Sequence, residues 1–176
     1  MGQPRWTTTS DQYLSPSAGD AWAAEAAAAG ERGSQRILDV ETVPALPDIA
    51  AHLGLPAGTP VVIRRRLILA DDKPVEIATS HWPASIAEMT VLADPAKVPG
   101  GTARFVGELG YIPAEVREDV TARWSTPYER TTLHLEQAEP VLKLTRILLD
   151  DTGQPYQCDI NVMRAGRHIR YVRQAG

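Results

Sequence analysis

Residues 47–74 recur, in outline, later in the chain. A shift of 80 positions lays Pro47 on Pro127, Leu53 on Leu133, Leu55 on Leu135, Pro60 on Pro140 and Val61 on Val141. Arg66 then falls on Arg146, Leu69 on Leu149 and Asp71 on Asp151; after one inserted residue, Gly153, Pro74 falls on Pro155. The repeated unit reads as strand, helix and long hairpin. Two such units have to share one sheet to bury their apolar faces, so the repeat predicts two similar halves in a single α+β domain. Chance agreement of turn prolines and strand leucines is the competing reading, and the preserved spacing argues against it.

The elements follow from local pattern. "AWAAEAAAAG" is an Ala-rich helix with Gly30 as its stop. "QRILDVETV" and "AEVREDVTARW" alternate as strands, and Pro47 and Pro127 open the helices "PDIAAHLGL" and "PYERTTLHL". Residues 61–83 and 140–163 form the two hairpins, "TARFVGELGY" a helix closed by Gly110, and "RHIRYVRQ" a closing edge strand. Residues 1–20 read as a polar arm, which leaves 21–176 for the domain.

Composition narrows the function. A chain of 176 residues with 43% hydrophobic and 23% charged residues is an ordinary soluble domain, without an apolar run of membrane-spanning length or a signal peptide. Its formal net charge of -4 offers no overall basic footprint for nucleic acid. The single cysteine, Cys158, excludes an internal disulfide and suits a reducing cytoplasm. The four histidines are scattered, so no zinc site or other cofactor is expected.

The arginine run Arg64, Arg65 and Arg66 lies inside a strand, where Val, Ile and Thr are usual. Alternation puts Val62, Arg64, Arg66 and Ile68 on one face, and Ile63, Arg65, Leu67 and Leu69 on the other. The second face, apolar apart from Arg65, is the expected core. The first face continues on the return strand with Glu76, Ala78, Ser80 and Trp82, and in the second hairpin with Gln157, Asp159, Asn161 and Met163. Guanidinium, carboxylate, amide and hydroxyl groups on one face fit recognition of a small anion, since arginine grips carboxylate or phosphate with two prongs. A solvated face with cross-strand Arg–Glu pairs has the same residue types.

"GLPAGTPVVIRRRLILADDKPVEIATSHWP" followed by "PVLKLTRILLDDTGQPYQCD" resembles the UTRA domain, the effector-sensing half of HutC-type regulators in the GntR family. The resemblance runs from about Ala21 to the C-terminus and rests on an ordered series of motifs. It implies a chorismate-lyase-like fold, an antiparallel sheet of about six strands flanked by helices, and pairing into a homodimer. It also implies a small acidic or polar metabolite as effector, with operator DNA gripped by a winged helix-turn-helix. Such a part needs roughly 60–70 residues. Only about 20 residues precede the first helix, so the expectation is either an isolated sensing domain or a stand-alone member, and the likeness of "RWTTTSDQYL" to the family's interdomain linker favours the first.

By the resemblance Arg66 aims at the effector's anionic group, Thr102 offers a hydroxyl and backbone N–H groups at a helix start, and Glu76 and Ser80 complete the set. Ile68 stands where sugar-phosphate binders carry a second arginine, with Arg64 on the same face as compensation. Gln157 replaces a frequent glutamate and Met163 a tyrosine, which implies a ligand less polar than a sugar. The expected ligand-binding residues are therefore Arg64, Arg66, Glu76, Ser80, Thr102, Gln157, Asp159 and Met163. The alternative function is a chorismate-lyase-like enzyme, in which Asp159 would have to serve as the acid because Gln157 cannot transfer a proton. A pure dimerisation module is the third class. Arg146 is expected to bond across the sheet, Trp22, Trp124 and Phe105 to lie in the core, and Cys158 to be an inert strand residue without a neighbouring histidine.

Overall fold

Two hairpins with matching turns set the frame, seen in a computed structural model that describes residues 6–8, 10–14, 20–167 and 169–173. Strands β3 (Pro60–Ala70) and β4 (Lys73–Pro83) join through Asp71 and Asp72, both at positive φ (46° and 62°), the backbone that matches strand twist in a two-residue turn. Strands β6 (Pro140–Leu149) and β7 (Pro155–Arg164) join through a longer turn. There the inserted Gly153 sits at φ 80°, and the Asp150 carboxylate accepts from the Thr152 and Gln154 N–H groups at 2.9 and 3.0 Å. Each hairpin carries one bulge, at Ile68/Leu69 and at Leu148/Leu149, which are equivalent positions of the repeat.

Strand β2 (Gly33–Pro44) pairs with β3, and β5 (Glu115–Trp124) with β6. The result is one antiparallel six-stranded sheet of order β2-β3-β4-β7-β6-β5. Its centre is a local two-fold axis: in the β4–β7 ladder Thr79 pairs with Ile160, its own equivalent in the repeat. The sheet and the internal repeat expected from sequence are thus both present.

Helices α2 (Pro47–His52) and α5 (Pro127–Leu133) cover one face of the sheet. Proline opens both, and Thr126 with Glu129 forms a capping box on α5. Ile49, Ala50 and Leu53 pack on Val61 and Cys158, while Leu133 packs on Leu67, Ile77, Val141 and Val162. Each half's helix thereby contacts the other half's central strand, α2 on β7 and α5 on β4, which locks the halves into one core. On this face Leu67 is buried as expected, and Arg65 is neutralised by Asp39 at 2.6 Å.

The opposite face is roofed by α1 (Ala21–Ala28), α3 (Ala84–Ala87) and α4 (Thr102–Glu108) with their loops. Asp20 caps α1, and Trp22 donates from Nε1 to the Leu69 carbonyl at 2.8 Å. Gly33 must be glycine, because a Cβ there would lie 2.9 Å from both the Ala26 Cβ and the Trp22 carbonyl.

Two boundary expectations change. The "RHIRYVRQ" strand is not an edge of the main sheet: β8 (Tyr171–Arg173) pairs with β1 (Trp6–Thr8) in a separate ribbon. The arm is not detached either, since Ser10 is buried and Tyr13 packs beside Trp22 and Ile68. The parts of those expectations falling on residues 1–5, 9, 15–19, His168 and 174–176 lie outside the described residues. Trp124, expected in the core, is 68% exposed because it ends the edge strand β5 opposite Pro140, beyond the cover of the helices. Trp22 is buried and Phe105 packs against the apolar roof, as expected.

Candidate ligand-binding site

A cavity of ≈ 730 Å³ lies between the sheet and the α1/α4 roof. The register explains its floor. One row of paired residues crosses all six strands: Val40, Arg64, Ser80, Asp159, Arg146 and Glu118. The next row on the same face holds Arg66, Ala78, Asn161 and Leu144, and a third holds Ile68, Glu76 and Met163. All eight residues singled out in the sequence border the cavity: Arg64, Arg66, Glu76, Ser80, Thr102, Gln157, Asp159 and Met163.

Their bonding differs sharply. Arg64 is buried and donates to the carbonyls of Leu92 (3.4 Å), Asp94 (2.6 Å) and Ala96. It therefore ties down the loop leading to α4, a role that the sequence reading, which sets Arg64 among the ligand-binding residues, does not include. Burial, with Arg66 next to it, pulls its pKa below the ordinary arginine value. Gln157 accepts from Trp82 Nε1 at 2.9 Å and donates to both Asp159 oxygens at 2.9 and 3.0 Å, so both ends of its amide are used. Arg146 donates from Nε to Glu118 at 2.7 Å and stands 3.9 Å from Asp159, the cross-sheet bonding expected of it.

Arg66 is the exception. Among the described residues its one hydrogen bond, to Gln35 Oε1, is 3.4 Å long, and its buried Nε finds no partner. A buried donor of that kind is costly unless something else satisfies it. Near it Glu76 carries a carboxyl pushed above the usual range, because burial outweighs the attraction of Arg167, Arg146 and Arg66. Ser80 and Met163 are buried in the floor, and Thr102 begins α4 after Gly100 and Gly101, both at positive φ (75° and 89°).

Sequence reasoning missed the far end of the cavity. Tyr13 donates to Glu25 at 2.5 Å and Gln12 donates to the same oxygen at 2.8 Å. Arg167 reaches back from the C-terminal segment to lie 3.2 Å from Glu25 and 4.7 Å from the centroid of the Trp22 ring. Nothing in the local pattern around Arg167 announces this, since its partners are more than 90 positions away in the chain. Cys158 also departs from expectation. His81 is its cross-strand partner and its Nδ1 lies 3.0 Å from the Cys158 carbonyl oxygen. Burial pushes the thiol up to about 12 and lowers the His81 pKa, so the pair stays neutral and unreactive. Among the described residues no group of three or more His, Cys, Asp or Glu side chains is placed to hold a metal ion, and no helix is long and apolar enough to cross a membrane.

Fold and cavity together describe an α+β domain with room for a small molecule between its sheet and its helical roof. The UTRA domain family matches residues 28–169, and the chain belongs to that family. Solved structures share the fold at low identity. The ligand-binding domain assigned to a GntR-family regulator of Bordetella bronchiseptica is 24% identical, with a TM-score of 0.68 over 82% of this chain and 92% of that one. The effector domain of PhnF from Mycobacterium smegmatis is 18% identical, with a TM-score of 0.71 over 83% of this chain and 89% of that one. PhnF itself, at 18% identity and a TM-score of 0.73, matches over 83% of this chain but 64% of its own. A search of curated protein sequences finds no match. Nothing in these comparisons favours a lyase.

Proposed function

We propose that the cavity is the effector site of a HutC-type regulator and takes a small metabolite with an acidic group, which Arg66 receives. The observation that carries this is the under-bonded Arg66 guanidinium on the floor of a partly open cavity of ≈ 730 Å³. The apolar parts of the wall, Ile68, Leu144 and Met163 among them, favour a ligand less polar than a sugar. Glu76, Ser80, Thr102 and Asp159 supply further polar contacts, while Arg64 and Gln157 act by holding the loop and the Asp159 carboxylate in place.

On this reading residues 21–176 are the sensing domain and residues 1–20 the arm to a DNA-binding part in a cytoplasmic homodimer. Symmetric pairing suits paired operator half-sites. Light scattering at micromolar concentration that reports the 19.1 kDa of one chain counts against the dimer. The effector is sought by thermal shift against small carboxylic acids and phosphate esters, because a ligand of the folded state raises its stability. The acid found this way should lose about 1.5–3 kcal/mol of binding in Arg66→Ala, the scale of a hydrogen bond to a charged group. Equal affinity in a folded Arg66→Ala protein, measured by calorimetry, overturns the assignment.

A further inference from the structure

One end of the cavity is occupied by the chain itself. Arg167 lays its guanidinium 4.7 Å from the centroid of the Trp22 ring, with Nη2 3.2 Å from Glu25 Oε1 and 3.9 Å from Glu76 Oε2. Tyr13 and Gln12 hold the other Glu25 oxygen in place. An aromatic face flanked by carboxylates is a recognition set for a planar cation. Yet Arg167 fills it imperfectly. Its buried Nε finds no partner among the described residues, and its approach to Glu76 is beyond hydrogen-bond distance. Two carboxylates face this one guanidinium, at 3.2 and 3.9 Å, and both do so through Nη2. Arg167 arrives on a segment that turns at Gly166, φ 96°, and continues into β8, whose three residues pair with β1. It is a tethered guest in a site whose other members are fixed by α1, β4 and the arm.

We propose that this end of the cavity is a subsite for a guanidinium or ammonium group, occupied in this structure by Arg167 and yielded to the basic group of an effector. The subsite lies close to Arg66. Glu76 pairs with Ile68, two residues along β3 on the same face, which sets the Glu76 and Arg66 backbones about 7–8 Å apart. An effector spanning both is a small zwitterion, acidic at Arg66 and basic at Glu25 and Glu76. Its acidic half rests on the effector reading given above; the cation subsite itself does not. Displacing Arg167 also loosens the segment that carries β8, and with it β1 in the arm, which links occupancy of the cavity to the N-terminal end of the chain.

The test is chemical complementation with methylguanidine. Arg167→Ala should bind methylguanidine with a millimolar dissociation constant, at least about tenfold tighter than the unaltered chain, whose own guanidinium competes. Adding Glu25→Gln and Glu76→Gln to Arg167→Ala should abolish that gain. Calorimetry at fixed ionic strength reads all three proteins, and Arg167→Met, which keeps the aliphatic stem, replaces Arg167→Ala should the latter not fold. Equal binding by the unaltered and Arg167→Ala chains, or binding that survives loss of both carboxylates, overturns the subsite. The acid and cation readings fail separately. Methylguanidine rescue without any Arg66-dependent acid leaves the cation subsite standing and removes the acid site; Arg66-dependent acid binding without rescue does the reverse.

Discussion

Arg66 and Arg146 occupy equivalent positions in the two halves, yet they live in opposite circumstances. Arg146 is paired with Glu118 at 2.7 Å and stands near Asp159. Among the described residues Arg66 has one 3.4 Å contact, to Gln35, and a buried Nε with no partner. The cause lies in the neighbouring strands. In β5 the residue opposite Arg146 is Glu118, and its equivalent in β2 is Leu38. A bulge between Ile37 and Asp39 slips the register by one, so Ile37 faces Arg66 and Leu38 joins the helix-side core. Bulges re-aim side chains beside functional sites. Here one residue leaves under-bonded an arginine whose equivalent is ion-paired, on backbones that are otherwise related by a two-fold axis.

Removing each arginine separates the two roles most strongly. Arg146→Ala leaves Glu118 and Asp159 in the interior without their cation, and should cost about 3–5 kcal/mol of stability, the scale for breaking a buried ion pair. Arg66→Ala breaks no short bond, and should change stability by no more than about 0.5 kcal/mol. Urea unfolding of both variants makes the comparison. Similar losses in the two would mean that the halves are bonded alike, and the distinction drawn from geometry would collapse.

A second change makes the first half imitate the second. Ile37→Glu places a carboxylate opposite Arg66, as Glu118 stands opposite Arg146. The new pair should quench the free guanidinium and weaken acid binding by about 1.5–3 kcal/mol without unfolding the chain. Calorimetry with the acid selected on the unaltered protein reads the effect. Undiminished binding in the folded variant would count against Arg66 as the group that receives the acid.

The sequence showed the frame because the frame is local. Turn residues, prolines at helix starts and two-residue alternation are written within a few positions, and the spacing of 80 tied the halves together. The same alternation put seven of the eight singled-out residues on one face, Thr102 on α4 came from the family resemblance, and all eight border one cavity. What remained hidden depends on distant chain. Arg64 is captured by carbonyls of residues 92–96, and no side-chain pattern encodes where carbonyls converge. Arg167 and Tyr13 reach the cavity from segments that look like polar termini. The Leu38 bulge left only the adjacent apolar pair Ile37–Leu38, a faint break in alternation.

The smallest expected effect concerns Glu76, whose equivalent in the second half is Gln157. Gln157 is neutral and fully hydrogen-bonded, whereas Glu76 is a buried carboxyl whose pKa is raised because burial outweighs the neighbouring arginines. The sign follows from proton linkage. With a folded pKa above the unfolded one, the folded chain holds this proton more tightly, so the group's contribution to stability is full below the unfolded value and falls as pH rises through the folded value. Above the unfolded value the buried carboxyl is therefore a net burden, and Glu76→Gln should raise the melting temperature at neutral pH by about 2–4 °C, equivalent to roughly 1 kcal/mol for a domain of this size. As pH falls through the raised carboxyl range the unaltered chain regains its proton and the gap should close. Melting curves from pH 4 to pH 8 check both statements. A variant less stable than the unaltered chain at pH 8 would mean that Arg167 and its neighbours more than repay the burial of Glu76, and that the first half has reached the same internal balance as the second.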